Sequence, residues 1–437
     1  MIVFIAIPYF IIMRIAILSD FHFGYGAGGE RANDPYDAFR EAVDKAKDCD
    51  LAIFAGDLFD TRNPDAETLT KAMELMIPLL LRQSDMKLIQ GIGKDISKVS
   101  ETALMGIPIV AIHGTHERRT KGLLNPVEAL EKAGFVVYLH CNGVIFEKDG
   151  ERVAIHGLSG VPDQYAEGVL SNWNPATAHG CFNIFVLHQS IAQFLYAQHT
   201  LDMHKIPKGF DLYVNGHIHE AKQADYAGKP FLLSGSLFPT QLKEESEKPK
   251  GFWIAETSVR DITSDAPKAK KTFEANGMSI YWVELENQRK TYVRSFDNPT
   301  HEAVEKEIER ILAEKHDRKP LIRIDLKGKV SDTLAPDLEM KFGGKAILSI
   351  RKATVDSEAL PTKTLEEHKL SVEEMGRKIL AENLTKAGLD PKTFDGVFEL
   401  LVEGKSEKAI ELISRLREKE SVSQKNAKQQ LLFRHGK

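Results

Sequence analysis

The sequence has few cysteines and almost no net charge. Its three cysteines, Cys49, Cys141 and Cys181, lie far apart and form no Cys-x-x-Cys pair, which argues against a disulfide scaffold or a zinc finger. The 58 basic residues are balanced by 63 acidic ones, so binding of nucleic acid would depend on local basic patches. The 437 residues predict two or three domains, and the 42% hydrophobic content excludes a disordered chain. A reducing, cytosolic compartment is the default expectation.

The sequence also lacks a hydrophobic run long enough to span a membrane. The apolar segment 1–13 contains Pro8 and ends at Arg14, short of the ~20 residues that a membrane helix needs. It has neither the basic start nor the small-residue cleavage site of a signal peptide. We therefore expect residues 1–12 to be an apolar extension, with Met13 as an alternative start, and no membrane association. A phosphate-binding loop of the Walker type is missing too.

Short apolar runs that are rich in β-branched and aromatic residues alternate with helical patterns, which predicts an α/β layered domain. The first helix is predicted to begin with Asp34 as its cap and Pro35 in its first position. A second helix is predicted over 65–82. Strands are predicted at 14–19, 51–55, 109–112, 135–139, 153–155, 184–187, 212–214 and 231–233.

The second half of the chain divides into smaller units. Residues 241–277 are predicted to be loop, apart from Phe252-Trp253-Ile254. A smaller α/β unit follows, with strands at 279–284, 291–295 and 321–326 and a helix at 301–314. From residue 370 the pattern predicts three short helices, and the last 17 residues contain four cations and no acid.

Five short polar motifs each follow a predicted strand. In open α/β sheets, ligands bind beyond the carboxyl ends of the strands. We therefore expect the five motifs to converge, and an extended Asp-x-His or His-x-His segment would point both side chains at one site. The motifs are Asp20-Phe-His22, Gly56-Asp57, Gly114-Thr-His-Glu117, His188 and Gly216-His-Ile-His219.

Together these motifs offer two carboxylates and four imidazoles. That set exceeds what one ion needs and fits two ions that share a bridging carboxylate. Mixed oxygen and nitrogen ligands suit Mn²⁺, Fe or Zn²⁺ better than Mg²⁺ alone. Two ions roughly 3.5–4 Å apart would clamp the attacking and leaving oxygens of a phosphoryl displacement. The six residues are Asp20, His22, Asp57, His188, His217 and His219.

In this order, the motifs resemble those of the calcineurin-like metallophosphoesterases, which read Asp-x-His, Gly-Asp, Gly-Asn-His-Asp/Glu, His and Gly-His-x-His. A narrower resemblance links the chain to the Mre-type and SbcD double-strand-break repair nucleases. The narrower resemblance is carried by Leu18-Ser-Asp-Phe-His-Phe-Gly24, Ala55-Gly-Asp-Leu-Phe-Asp60, Arg31–Phe39, Gly235-Ser236 and Lys250-Gly251-Phe252.

The resemblance implies an α/β fold: a layered β-sandwich metallophosphoesterase core flanked by helices, a small α/β capping domain and a helical C-terminal segment. The nuclease domain would cover 13–278 and the DNA-capping domain 279–353. After a linker at 354–369, residues 370–437 would bind an SMC-like ABC ATPase through their helices and carry the basic tail.

By the same resemblance, the site residues acquire roles. Asp20, His22, Asp57 and His219 would hold one divalent ion, and Asp57, His188 and His217 would hold the other, with manganese as the favoured metal. His116 would stabilise or protonate the phosphate transition state without ligating metal, and Glu117 would orient its imidazole. An imidazole suits that role because it exchanges a proton near neutral pH.

One position departs from the family pattern. Thr115 stands where the family has an asparagine ligand, and a hydroxyl is a poorer neutral ligand than an amide carbonyl. We expect either a weaker second metal site or a water that completes its coordination.

The resemblance implies a metal-dependent nuclease that degrades duplex ends and cleaves single-stranded DNA in double-strand-break repair. The protein would be cytoplasmic, associated with the nucleoid, and a homodimer, with 65–82 and 96–106 as the expected dimer contact. Two alternatives stay open at this point. One is a stand-alone small-molecule phosphodiesterase or phosphatase, and the other is a non-catalytic scaffold that binds DNA or the ATPase.

Overall fold

The computed structural model describes residues 13–120, 122–195, 199–257, 269–275 and 278–352, together with Leu412. The apolar extension 1–12, the linker at 354–369 and the predicted C-terminal helices lie outside these residues, apart from Leu412. Within the described part of the chain, no helix has both the length and the hydrophobicity needed to cross a membrane.

The described residues form seventeen strands and six α-helices. The strands are β1 (Met13–Leu18), β2 (Leu51–Ala55), β3 (Lys87–Ile92), β4 (Ile109–Ile112), β5 (Val137–Tyr138), β6 (Asn142–Lys148), β7 (Glu151–Leu158), β8 (Phe182–Leu187), β9 (Leu212–Asn215), β10 (Lys222–Tyr226), β11 (Lys229–Leu233), β12 (Gly251–Thr257), β13 (Ala269–Ala275), β14 (Met278–Glu284), β15 (Thr291–Asp297), β16 (Leu321–Lys327) and β17 (Ile347–Lys352). The helices are α1 (Asp34–Lys45), α2 (Ala66–Leu80), α3 (Pro126–Lys132), α4 (Asp163–Trp173), α5 (His301–Leu312) and α6 (Leu334–Phe342).

Two seven-stranded sheets form the main layers. The first has the order β13-β14-β12-β1-β2-β4-β5, and the second has the order β10-β11-β9-β8-β7-β6-β3. Strands β1, β2, β4 and β5 run parallel in the first sheet, and β7, β8, β9 and β11 run parallel in the second. The layered α/β fold expected from the sequence is confirmed.

The central strands are apolar because both of their faces are buried. Along β1, Ile15 and Ile17 pack between the two sheets, in the same core as Val186 and Val214. The intervening Ala16 and the following Leu18 belong to the core beneath the outer helices. A parallel strand that is covered on both faces reads as a continuous hydrophobic run, which is why these strands are easy to recognise.

Residues 251–284 contain more strand than the sequence predicts. The segment 241–277, predicted to be loop outside 252–254, contains β12 and β13. The strand expected at 279–284 in the smaller unit is β14 instead, which pairs antiparallel with β12 and extends the first sheet. The smaller sheet therefore begins only at β15.

The smaller unit is a three-stranded parallel sheet in the order β15-β16-β17. Helices α5 and α6 cover it and share a core that includes Ile308, Ile324 and Leu338. Its edge strand β15 is tied to the main layers, because the Val293 amide donates to Glu247 at 2.6 Å.

The start of α1 differs from the predicted cap. Asn33 occupies the cap position, and Asp34 is the first helical residue. The Asp34 carboxylate instead accepts hydrogen bonds from Arg31, Arg289 and Arg318 at 2.9–3.2 Å. Arg289 and Arg318 flank the smaller sheet, so this buried carboxylate connects that sheet to the main layers.

Candidate metal centre

The polar motifs lie at one edge of the sandwich, where strands of both sheets end. In the first sheet, β1, β2 and β4 lead into Asp20, Asp57 and His116. In the second sheet, β8 and β9 lead into His188 and His217. The structure thus brings together residues that the chain separates by nearly 200 positions, as the strand-end argument predicts.

Left-handed backbone turns direct the side chains inward. Asp20, His22, Asp57 and His217 have φ angles of 55°, 48°, 49° and 72°. Non-glycine residues rarely adopt this region, and such strain concentrates at functional sites. The expectation that Asp20 and His22 share a face of an extended segment is therefore wrong, because a turn aims both residues.

Two glycines are required by close packing at these turns. A Cβ atom on Gly56 would lie 2.3 Å from Nδ1 of His188. A Cβ atom on Gly114 would lie 2.1 Å from Oδ1 of Asp57. The glycines that precede Asp57 and Thr115 in the motifs therefore let neighbouring strand ends approach one another.

The first group of candidate ligands contains Asp20, His22 and His219. Nε2 of His219 lies 3.4 Å from Oδ1 of Asp20 and 3.2 Å from Nε2 of His22. Nε2 of His22 lies 4.0 Å from the same oxygen of Asp20. Three potential ligand atoms thus face one point, and two of the three residues are buried.

The opposite nitrogens of the two imidazoles have partners. Nδ1 of His22 lies 3.1 Å from Oδ1 of Asp60, and Nδ1 of His219 lies 2.5 Å from Oγ1 of Thr240. When Nδ1 of His22 donates its hydrogen to Asp60, Nε2 is left with a lone pair for a metal. Sequence reasoning missed Asp60, although its signal was present as a second carboxylate three residues after Asp57.

The second group contains Asp57, His188 and His217. Nε2 of His188 lies 3.2 Å from Oδ2 of Asp57. Nδ1 of His188 lies 2.8 Å from the carbonyl oxygen of Ala55 and donates to it. His188 therefore directs its Nε2 towards Asp57 and the site.

In His217 the roles of the two ring nitrogens are reversed relative to His188. Nε2 of His217 lies 3.0 Å from Oγ of Ser190, whose hydroxyl donates to Oδ2 of Asp163 at 2.8 Å. The hydrogen bond to Ser190 leaves Nδ1 of His217 free to act as a ligand. Ser190 and Asp163 had no recognisable pattern in the sequence, since Asp163 lies in a separate helix.

The electrostatics of the two groups fit a bound cation. Oδ1 of Asp20 and Nε2 of His188 are buried and have no hydrogen-bond partner. Burial opposes protonation of His188, but the nearby Asp57 carboxylate outweighs it and raises the pKa of His188 to about 9. Burial likewise opposes ionisation of Asp57, but the charge of His188 lowers its pKa. A divalent ion would satisfy these groups, and their mixed oxygen and nitrogen donors suit Mn²⁺, Fe or Zn²⁺.

His116 lies at the open side of the site, with 45% of its side chain exposed. Its Nδ1 lies 2.8 Å from the main-chain oxygen of Asp60, and its main-chain amide donates to Oδ1 of Asp57 at 2.9 Å. Its ring contacts that of His22 edge to face, with centroids 4.8 Å apart. The imidazole therefore has a fixed orientation beside both groups of ligands and stays accessible to a substrate.

Glu117 does not orient the His116 ring, so that expected role is corrected. The buried Glu117 carboxylate accepts hydrogen bonds from the amides of Gly114 at 2.7 Å and Phe59 at 2.9 Å. Burial and the charge of Asp57 raise the pKa of Glu117 to about 8. Glu117 thus connects the loops after β2 and β4, and the Asp60 carbonyl orients the imidazole.

Thr115 lies beside Asp57 but outside both groups of candidate ligands. Its hydroxyl donates to Oδ2 of Asp57 at 3.3 Å. This hydrogen bond stabilises the negative charge of the Asp57 carboxylate. Ligation of a metal by Thr115 itself stays a prediction.

A cavity of about 290 Å³ opens onto the site, and Asp57, His116, His217 and His219 line it. Lys250 lines the same cavity and donates from Nζ to the main-chain oxygen of His219 at 2.8 Å. Burial lowers the pKa of Lys250 to about 8. Its position in the Lys250-Gly251-Phe252 motif was visible in the sequence, but its contact with the site was not.

Comparison with known proteins shows which family this region is similar to. Residues 13–221 match the calcineurin-like phosphoesterase family. This stretch includes all the candidate site residues named from the sequence, from Asp20 to His219.

Individual relatives resemble the chain over a longer region. The DNA double-strand break repair protein Mre11 of Methanopyrus kandleri is 27% identical over 267 residues, or 56% of this chain and 54% of its own. The double-strand break repair protein mre-11 of Caenorhabditis elegans is 26% identical, over 58% of this chain and 40% of its own. Mre11 of Sulfolobus acidocaldarius is 23% identical over 73% of this chain and 76% of its own. The chain thus spans about half the length of the first two relatives, or less.

Proposed function

We propose that this chain, whose residues 13–221 match the calcineurin-like phosphoesterase family, is a metal-dependent DNA nuclease of double-strand-break repair. It would remove nucleotides from duplex ends and cleave single strands inside the cytoplasm, at the nucleoid. The observation that carries the proposal is the pair of adjoining groups, Asp20/His22/His219 and Asp57/His188/His217, whose potential ligand atoms converge. The names of the relatives support DNA as the substrate.

Two divalent ions, with manganese favoured, would be held by these two groups. Asp57 would be shared, since its Oδ2 lies 3.2 Å from His188 of the second group and its charge also acts on His22 of the first. When bound, such ions neutralise phosphate charge and activate the attacking water. Asp60, Thr240 and the Ala55 carbonyl hold the imidazoles so that the correct nitrogen faces each ion.

His116 would supply the proton that the leaving oxygen needs. With Nδ1 donating to the Asp60 carbonyl, Nε2 of His116 is the free nitrogen, and in the protonated ring it carries a hydrogen towards the phosphate. It would stabilise the developing negative charge and donate that proton to the leaving oxygen. Its exposure allows this contact, and its hydrogen bonds to Asp57 and Asp60 in the loop after β2 hold its backbone and its ring in place.

A homodimer is part of the proposal. The face of α2 and the segment after it expose Ile77, Leu81 and Met105. Exposed methionine and aliphatic side chains in one region favour a protein contact over solvent. This region lies within the predicted dimer contact at 65–82 and 96–106.

An SMC-like ABC ATPase is the proposed partner of residues 370–437. Apart from Leu412, that segment lies outside the described residues, so the assignment rests on the sequence. Deletion of 370–437 should abolish co-purification of the ATPase and leave the intrinsic nuclease activity intact. Survival of the complex after the deletion would contradict the assignment.

Parallel assays of three substrates distinguish a nuclease from a small-substrate phosphodiesterase. Purified protein with Mn²⁺ would be given end-labelled linear duplex DNA, a labelled single strand and bis(p-nitrophenyl) phosphate in parallel. We expect cleavage of both DNA substrates at protein concentrations well below those that hydrolyse the small diester. Hydrolysis of the small diester without any cleavage of DNA would contradict the proposal, and bound metal without either activity would favour a scaffold.

A further inference from the structure

A second cavity lies directly beside the metal centre. It has a volume of about 360 Å³ and lies where the edge of the first sheet faces the residues that follow His219. Its size falls within the ~300–1,000 Å³ of typical ligand sites. The proposed mechanism does not use it. Six residues that define its walls are Glu220, Lys250, Trp253, Lys270, Trp282 and Glu284.

Two tryptophans form the apolar wall. Trp253 of β12 and Trp282 of β14 lie opposite each other in the register, with ring centroids 4.8 Å apart at an angle of 60°. Trp253 is buried and donates from Nε1 to the Leu233 carbonyl of the second sheet at 3.0 Å. Trp282 is only partly buried and lines the cavity. Trp253 is thus held in the protein interior, whereas Trp282 is accessible from the cavity.

Gly251 allows Trp282 to take this position. A Cβ atom at residue 251 would lie 2.1 Å from the carbonyl oxygen of Val283 and 2.9 Å from Cζ2 of Trp282. The indole therefore packs against bare backbone, and a larger residue at 251 would displace it. The sequence builds this wall from a glycine and two aromatic residues.

The charges around the cavity are balanced. Lys248, Lys250 and Lys270 line it together with Glu220, Glu245 and Glu284. Lys248 is already paired with Glu220 at 3.0 Å. A balanced rim of this kind does not select a phosphate, but it offers hydrogen-bond donors and acceptors to a neutral polar group. An aromatic wall with such a rim suits a planar heterocycle.

Lys250 connects this cavity to the metal centre. It lines both cavities, and its Nζ contacts the main chain of the candidate ligand His219 at 2.8 Å. Glu220 and Glu245 also line both cavities. Because three residues line both cavities, the two cavities adjoin, and a nucleotide with its phosphate at the metal centre can place its base in the second cavity.

We propose that this cavity binds a nucleobase of the DNA strand, next to the phosphodiester that is cleaved. The base would stack on Trp282, and the lysines and glutamates would contact its polar edge. Stacking on an aromatic face is tolerant of sequence, because every base has a π-face. The proposal rests on the nuclease function proposed above and names the part of the substrate that this site holds.

The test combines a variant with a modified substrate. Trp282→Leu and wild type would cleave a labelled single strand in Mn²⁺, with each phosphodiester read separately on a gel. A second strand would carry one abasic nucleotide. Wild type should cleave a bond beside the abasic position about tenfold more slowly, which corresponds to ~1.4 kcal/mol of stacking. Trp282→Leu should cleave the normal strand about tenfold more slowly and lose the discrimination.

The controls separate this proposal from the nuclease itself. Trp173→Leu changes a partly buried tryptophan of α4 and should keep the abasic penalty. Trp173→Phe leaves Trp253 and Trp282 as reporters, and their fluorescence should be quenched saturably by deoxyguanosine without metal, an effect that Trp282→Leu abolishes. If wild type cleaves DNA but Trp282→Leu keeps the abasic penalty and the quenching, the cavity assignment is wrong. If wild type cleaves no DNA, both proposals fail.

Discussion

The Asp60 carboxylate lies 3.1 Å from Nδ1 of His22, on the side of the ring opposite the candidate metal ligands. The same residue accepts from Nδ1 of His116 through its main-chain oxygen at 2.8 Å. Asp60 therefore positions one candidate ligand with its side chain and the proposed proton donor with its backbone. Substitution of the Asp60 side chain removes the contact with His22 but keeps the main-chain contact with His116, so a single substitution tests the first contact alone.

Asp60→Ala should weaken metal binding and leave the His116 contact in place. Loss of an outer-shell carboxylate typically costs about 10–100-fold in metal affinity, because the ligand ring is no longer oriented. Calorimetric titration with Mn²⁺ measures this, and Asp44→Ala on the exposed face of α1 is the matched control. An unchanged affinity in Asp60→Ala would remove the positioning role.

Thr115→Asn should preserve or improve metal-dependent activity. An amide oxygen is a better neutral ligand than the hydroxyl, which in this structure donates to Asp57. Thr115→Val removes the hydroxyl at similar volume and should weaken metal binding. Both variants would be compared with wild type by Mn²⁺ titration and DNA cleavage. A large loss of activity in Thr115→Asn with intact folding would show that Thr115 has a different function.

Leu81→Asp or Met105→Asp should convert the proposed dimer to a monomer. These side chains are 79% and 71% exposed, so the substitutions cost little in the fold but place a charge in the expected contact. Gel filtration with light scattering at micromolar concentration measures the mass. Met340→Asp, at an equally exposed methionine of α6, is the control. A monomeric wild type would contradict the dimer.

His156 should make the protein less stable in acid. Both of its ring nitrogens are buried without a hydrogen-bond partner, and burial lowers its pKa to about 4. Because the folded-state pKa lies below the ordinary value, the stability from the neutral ring is complete above about pH 6.5 and is lost as the pH falls towards 4.

His156→Phe should abolish this dependence, since the ring packs edge to face with Phe210. Relative to the variant, wild type should lose roughly 2 kcal/mol of unfolding free energy between pH 8 and pH 5. Denaturant unfolding at both pH values measures this, with the exposed His179→Gln as control. A constant difference between wild type and His156→Phe would contradict the shifted pKa.

The sequence predicted those parts of the fold that depend on local patterns. Strands β2 and β4 match their predicted bounds, because a strand covered on both faces is a continuous apolar run. The strands β3 and β10 were not predicted, because nearly all of their residues are partly or fully exposed and form no continuous apolar run. The placement of β14 depends on pairing with β12 and could not be read from either segment alone.

The candidate site, like the fold, could be predicted from the sequence only in part. The candidate ligands follow predicted strands, so their convergence could be inferred. The orientation of each imidazole depends on distant partners such as Asp163 with Ser190 and Thr240. Glu117 was assigned by analogy to the ring of His116, whereas the fold directs its carboxylate to the backbone of two loops. Spacing in the sequence does not determine such contacts.

We expect DNA cleavage at this site to require both metal and His116. The most direct measurement is Mn²⁺-dependent release of label from end-labelled linear duplex DNA. Wild type, His116→Ser and the exposed-histidine control His179→Ser would be compared, each with and without a chelator. We expect release by wild type and His179→Ser only, and only in the absence of chelator. Release that persists in His116→Ser or in the chelator, or no release by wild type with metal bound, would contradict this account.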